Sequence, residues 1–73
     1  MMPDTPNLTP VTSSNIAAVG HDGDALWIRF HGGRLYRYPG VGREHHDGLT
    51  NTASPGSYFL DKIRHFYQGE RIE

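Results

Sequence analysis

The chain has no cysteine, which excludes disulfide staples, thiolate metal sites and thiol catalysis. It also lacks an excess of either charge: seven basic and eight acidic residues leave a formal charge of −1 with the five histidines neutral. Such a chain has no overall attraction for nucleic acid or an acidic membrane, so a cationic patch must be local. No apolar run approaches the roughly 20 residues of a membrane span, and the N-terminus lacks the basic-then-apolar order of a secretory signal. There is no internal repeat and no low-complexity segment. With 73 residues the chain has material for one small domain, near the size at which a single core barely supports folding. These absences lead to the expectation of a soluble, monomeric protein of the cytoplasm, with no membrane contact and stability drawn from packing alone.

What is present is concentrated in the run from Leu26 to Tyr38, two alternating segments of strong β-formers joined by Gly32-Gly33. Period-two alternation around a glycine break predicts a β-hairpin. With a three-residue loop of His31, Gly32 and Gly33, and Gly33 left-handed, Ile28 lies opposite Tyr36 and Leu26 opposite Tyr38. Leu26, Ile28, Phe30, Tyr36 and Tyr38 then form a core face, and Trp27, Arg29, Leu35 and Arg37 form the other face. A two-residue loop would put Arg37 opposite Ile28, burying a guanidinium among aliphatics.

Upstream, Asn15 to Gly20 reads as a strand, and Asp22-Gly23 as the turn into the next strand at Ala25. Pro39 and Gly40 end the third strand. Met1 to Thr12, with Pro3, Pro6 and Pro10, reads as a flexible tail. Arg43 to Ala53 predicts a short, weak helix in which Gly48 is an interruption. Ser54-Pro55 predicts an N-cap and first helical residue, opening a firmer helix to about Gln68 with Gly69 as its stop. Its stripe of Phe59, Ile63, Phe66 and Tyr67 covers the sheet. The expected fold is α+β: a three-stranded antiparallel meander followed by a short and a longer helix packed on one face, in the order β-β-β-α-α.

Chemistry-bearing patterns are sparse. Glu44-His45-His46-Asp47 is the densest cluster, but adjacent helical histidines point about 100 degrees apart, and His21 or His65 would have to complete a site. Ser13, Ser54 and Ser57 sit where capping explains them, without a nucleophile elbow. The turn glycines make no phosphate loop. The expectation is a protein that is not an enzyme and uses no metal or cofactor. The outward strip of Trp27, Arg29, Leu35 and Arg37, joined by Arg43, is the candidate partner-binding surface, because Trp and Arg are the types enriched in binding hot spots. Lys62, Arg64 and Arg71 with Arg43, interleaved with Tyr58 and Tyr67, form a second cationic set that reads as a solubilising surface.

Ser13-Ser14-Asn15-Ile16, Val19-Gly20, Leu26 with Ile28 and Phe30, Gly33, Tyr36 with Tyr38, Val41, Leu49, Ala53-Ser54, Gly56, Tyr58-Phe59, Ile63-Arg64 and Tyr67 together resemble the KTSC domain. That family is named for its occurrence at the C-terminus of some lysyl-tRNA synthetases. The resemblance covers about residues 13 to 68, and implies a KTSC-like domain over 13–73 behind the 1–12 tail. The chain departs from the family pattern at His21, Gly42, His46 and Leu60. The whole chain, with its proline-rich start, further resembles a small transcription regulator of a lytic bacteriophage. This implies a protein that binds host RNA polymerase, inhibits initiation and promotes antitermination by non-catalytic contacts, with a host elongation factor as a further candidate partner. The alternative function is a small RNA-binding accessory module, suggested by the synthetase occurrence and by aromatics near arginines.

Overall fold

A computed structural model describes residues 5–73. Among these residues the backbone forms β1 (Thr9–Pro10), β2 (Ile16–His21), β3 (Ala25–Phe30), β4 (Leu35–Pro39), α1 (Arg43–Asn51), α2 (Pro55–Phe59), a π-helical turn (Leu60–Arg64) and β5 (Glu70–Arg71). The strands make one antiparallel sheet in the order β1-β2-β3-β4-β5. The α+β class and the two helices agree with the sequence; the sheet is wider than the three-stranded meander. Both added strands are two-residue edges, too short to carry an alternating pattern. Pro10, which has no N–H to donate, is tolerated because β1 is an edge.

The β3–β4 register is the one set by a three-residue loop. Ile28 faces Tyr36 and Leu26 faces Tyr38, with the loop closed by Phe30 N–H donating to the Arg34 carbonyl at 2.9 Å. Gly32 and Gly33 have φ of 100° and 97°, a left-handed conformation that costs any residue with a Cβ. The β2–β3 turn is held by Asp22, whose Oδ1 accepts from the backbone N–H groups of Asp24 and Ala25, both at 2.8 Å.

One sheet face carries the core. Ile16, Val19, Leu26 and Ile28 pack with Tyr38, Val41, Leu49, Phe59 and Ile63 from the strands and helices above. The helix pair meets at Gly48, where an added Cβ would collide with the Tyr58 ring. The glycine that reads as an interruption of α1 is thus the place where the second helix docks.

Four expectations are corrected. The segment assigned to a loose tail over 1–12 is ordered where it is described: Thr9 pairs with Val19, Pro10 with Ala18, and Val11 N–H donates to the Ala17 carbonyl at 3.1 Å. Residues 1–4 of that expectation lie outside the described residues. The last helix stops near Arg64 instead of Gln68, because the π turn at Leu60–Arg64 changes its phase and the chain then leaves to form β5. A π turn closes hydrogen bonds five residues apart, so side chains fall progressively behind an α-helical stripe. Phe59 and Ile63 remain buried while Phe66 is 72% exposed. Gly69 is no helix stop; it lies against Tyr38, where a Cβ would come within 2.5 Å of the ring. Ser54 occupies the N-cap position without a side-chain cap, and its Oγ donates to Ser57 Oγ at 3.1 Å.

Candidate functional site

The strip expected to be open is closed. Side-chain parity holds, since Trp27 and Leu35 lie on the face away from the helices, outside the main core cluster. Both are nevertheless 0% exposed. The register pairs Trp27 with Gly20 on one side and Arg37 on the other. Over Gly20 runs the N-terminal segment: a Cβ there would lie 2.6 Å from the Asn7 carbonyl oxygen and 2.8 Å from Leu8 Cδ2. The indole Nε1–H donates to Asp22 Oδ2 at 2.8 Å, and the Arg37 guanidinium stands 6.0 Å above the indole ring. At Leu35 the chain end closes the edge, with Ile72 N–H donating to the Leu35 carbonyl at 2.8 Å.

The arginines of this face are committed too. Arg29 Nη1 reaches Glu73 Oε1 at 2.7 Å and the Gly33 carbonyl at 2.6 Å, while Arg37 pairs with Asp22 at 3.3 Å and Glu70 at 4.0 Å. Burial by itself pushes the Asp22 carboxyl up, but hydrogen bonds from Trp27, from the Asp24 and Ala25 backbone and from Arg37 outweigh it. They hold Asp22 far below the ordinary carboxylate range. Trp27 and Leu35 therefore form a second, minor core, bordered by the partly exposed ion pairs of Arg29, Arg37 and Asp22. Arg43 is exposed at the start of α1, apart from this strip.

The opening lies on the other face, at the end of the sheet that the helices fail to reach. Five strands span about 19 Å; α1 packs against β2 and β3, and from α2 Phe59 reaches Phe30 and Tyr38, while Phe30 and Tyr36 keep part of their surface in water. There Phe30, Tyr36, Tyr38 and Phe59 form a connected aromatic floor. Phe30 meets Tyr36 edge to face at 5.7 Å and Phe59 at 5.7 Å, Tyr38 meets Phe59 at 5.6 Å, and Tyr36 stacks toward Tyr38 at 6.3 Å. Phe30 and Tyr36 are half-buried, so their rings still reach solvent.

Two adjoining hollows, of about 210 and 330 Å³, share Phe30, Arg34, Phe59 and Arg64 as walls. The first extends toward Asn15, His31 and Leu60, the second toward Tyr36 and Tyr38. Arg71 adds a third guanidinium: it is opposite Tyr36 in the ladder and so shares its face. No acidic side chain among the described residues forms a salt bridge with Arg34, Arg64 or Arg71; Arg71 Nε donates to the Glu73 main-chain oxygen at 3.2 Å. Burial raises the Tyr38 phenol, Tyr36 adds to the rise, and Arg64 opposes both. Tyr38 is thus a neutral hydroxyl at ordinary pH.

Sequence reasoning placed Phe30, Tyr36 and Tyr38 in the core and Arg64 and Arg71 among solubilising charges. No local signal shows this in advance: the helix expected to run to about Gln68 ends near Arg64 at the π turn, and the cover over the three aromatics falls short. The histidine cluster does not converge: His45 Nδ1 contacts Tyr58 Oη at 3.1 Å and His46 Nδ1 contacts Asp47 Oδ1 at 3.2 Å. Among the described residues no three His, Asp or Glu side chains are gathered for a metal ion, and no helix is long and apolar enough to cross a membrane.

A small antiparallel sheet with two short helices packed on one face, and an aromatic trough beside them, defines a two-layer α+β domain. The model of the KTSC domain matches residues 12–67, and the chain belongs to the KTSC domain family. It is similar to the crystal structure of a KTSC domain protein from Yersinia pestis, with 31% identity and a TM-score of 0.81 over 92% of this chain and 97% of that one. No curated protein matches the chain.

Proposed function

We propose that this protein is a transcription regulator of the bacteriophage type, which binds a bacterial RNA polymerase, lowers promoter-dependent initiation and promotes antitermination without catalysing a reaction. The reading is supported by the whole-chain resemblance described above and carried by one structural observation. Half-buried aromatic rings lie beside Arg34 and Arg64, which form no salt bridge among the described residues and share hollows lined by no acidic side chain, while the arginines of the opposite sheet face are paired with Asp22, Glu70 and Glu73. A rigid sheet that leaves Phe30 and Tyr36 in contact with water carries a hydration cost that a partner removes. A regulator of this size acts by occupying a surface and shifting its partner between states.

The test is capture of purified polymerase by the immobilised full chain, followed by promoter-dependent transcription in its presence. Retention of polymerase and a dose-dependent fall in initiation are expected. A chain that leaves polymerase in the flow-through at micromolar concentration overturns the reading.

A further inference from the structure

We infer that the occupant of the aromatic trough is single-stranded RNA, with bases stacking on Tyr36 and Phe30 and phosphates held by Arg34 and Arg64. The choice of RNA over DNA rests on the transcriptional reading above; the stacking site itself rests on geometry.

Four features fix the chemistry. First, the floor is made of flat rings rather than a strand edge. A peptide added as a strand needs a row of unpaired backbone groups, and the trough offers side chains instead. Every nucleobase presents a π-face, so an open ring accepts a base regardless of sequence. Secondly, the cations are exposed members of the lining. Arg34 and Arg64, both exposed, line both hollows together with Phe30 and Phe59, so guanidinium groups stand beside the rings for the phosphates of a stacked strand. Guanidinium groups grip phosphate oxygens in a two-pronged geometry.

Thirdly, the arginine ion pairs are confined to one face of a chain that is almost neutral overall. Every acidic side chain in a salt bridge with arginine, namely Asp22, Glu70 and Glu73, serves Arg29 or Arg37 on the closed face. Arg34 and Arg64 form no salt bridge among the described residues, and no acidic side chain lines either hollow, so an anionic strand is matched there. Fourthly, the trough is open and continuous between its two hollows, the form of a groove that tracks a strand. It continues past Asn15, which supplies amide donors and acceptors at one end.

The experiment measures fluorescence anisotropy of a labelled RNA of about ten nucleotides, a span within single-strand site sizes, titrated with the full chain and no polymerase. DNA of the same sequence and duplex RNA serve as parallel probes. Binding of the single-stranded RNA is expected, weakening as salt rises with a log–log slope of about 0.7 per phosphate held. The double variant Arg34→Gln, Arg64→Gln, both exposed positions, is expected to lose on the order of tenfold or more in affinity and to flatten that slope. Tyr36→Ala is expected to weaken binding on the order of tenfold. Because Tyr36 also packs beside Tyr38, unchanged Trp27 emission establishes that this variant is folded. Lys62→Gln, whose ammonium stands over Tyr58 outside both hollows, leaves affinity unchanged.

Absence of RNA binding at low salt, equal binding by the arginine double variant, or tighter binding of DNA or duplex RNA overturns the inference. If polymerase capture persists in that case, the transcriptional reading stands alone. If instead the double variant loses polymerase while the native chain ignores RNA, the trough holds the polymerase itself. RNA binding without polymerase capture leaves the trough assignment intact and removes the regulatory reading.

Discussion

The two faces of the β3–β4 hairpin are built from the same ingredients, yet they end in opposite states. Each carries large aromatic surface and arginine. On the Trp27 face, the ring is fully covered, Asp22 takes its N–H, and both arginines find carboxylates. On the Tyr36 face, two rings remain half-buried, and Arg34 and Arg64 form no salt bridge among the described residues. The difference comes from what crosses each face. Short irregular segments from both ends of the described chain close the Trp27 side, whereas helices too short for the sheet roof only part of the Tyr36 side. Composition alone is therefore a poor guide to which aromatic–arginine surface binds. Accessibility and counter-charge decide it.

That contrast breaks most readily at Trp27. Trp27→Ala empties the minor core and is expected to cost about 3–5 kcal/mol of stability, read by urea unfolding. A loss below about 1 kcal/mol would mean the indole is not sealed as described. Next, Asp22→Ala removes the acceptor shared by the indole, two backbone N–H groups and Arg37, with an expected cost of about 2 kcal/mol.

The same carboxylate gives a pH signature. Its folded-state pKa is depressed, so its stabilisation is complete above the unfolded carboxylate range near pH 4 and is lost as pH falls further toward the folded value. Thermal unfolding from pH 6 down to pH 2 is expected to show the gap between native protein and Asp22→Ala shrinking below about pH 4. A gap independent of pH would dissociate Asp22 from the closed face.

Gly20→Val sharpens the role of the N-terminal cover. Its side chain would collide with Asn7 and Leu8, and a cost of about 1–3 kcal/mol is expected together with a red-shifted Trp27 emission. Unchanged emission would show that residues 7–8 do not screen the indole. The smallest effects belong to the open side. Arg34→Gln and Phe66→Ser are expected to stay within about 0.5 kcal/mol of the native protein in urea, because both side chains project into solvent. A larger loss at Phe66 would restore it to the buried helical stripe.

Much of the fold was legible along the chain because its signals are local. Alternation from Ala25 to Tyr38 fixed the strands, Gly32-Gly33 the turn, and Pro55 the helix start. The burial of Leu26, Ile28, Tyr38, Phe59 and Ile63 followed from their period. The candidate site was not legible in the same way. Trp27 and Leu35 fit the outward parity, but parity names a face and not whether another segment covers it. Arg64 and Arg71 are ordinary surface charges until the π turn and β5 bring them beside Tyr38 and Tyr36.

The sequence by itself determined the hairpin register, the side each strand residue takes and the class of fold, since these depend on period-two geometry and on glycine and proline stereochemistry. Only the tertiary structure decided which side stays open. That outcome depends on contacts between residues far apart in the chain, such as Leu8 over Gly20 and Glu73 on Arg29, and on how far two short helices reach across five strands. No local pattern encodes either distance.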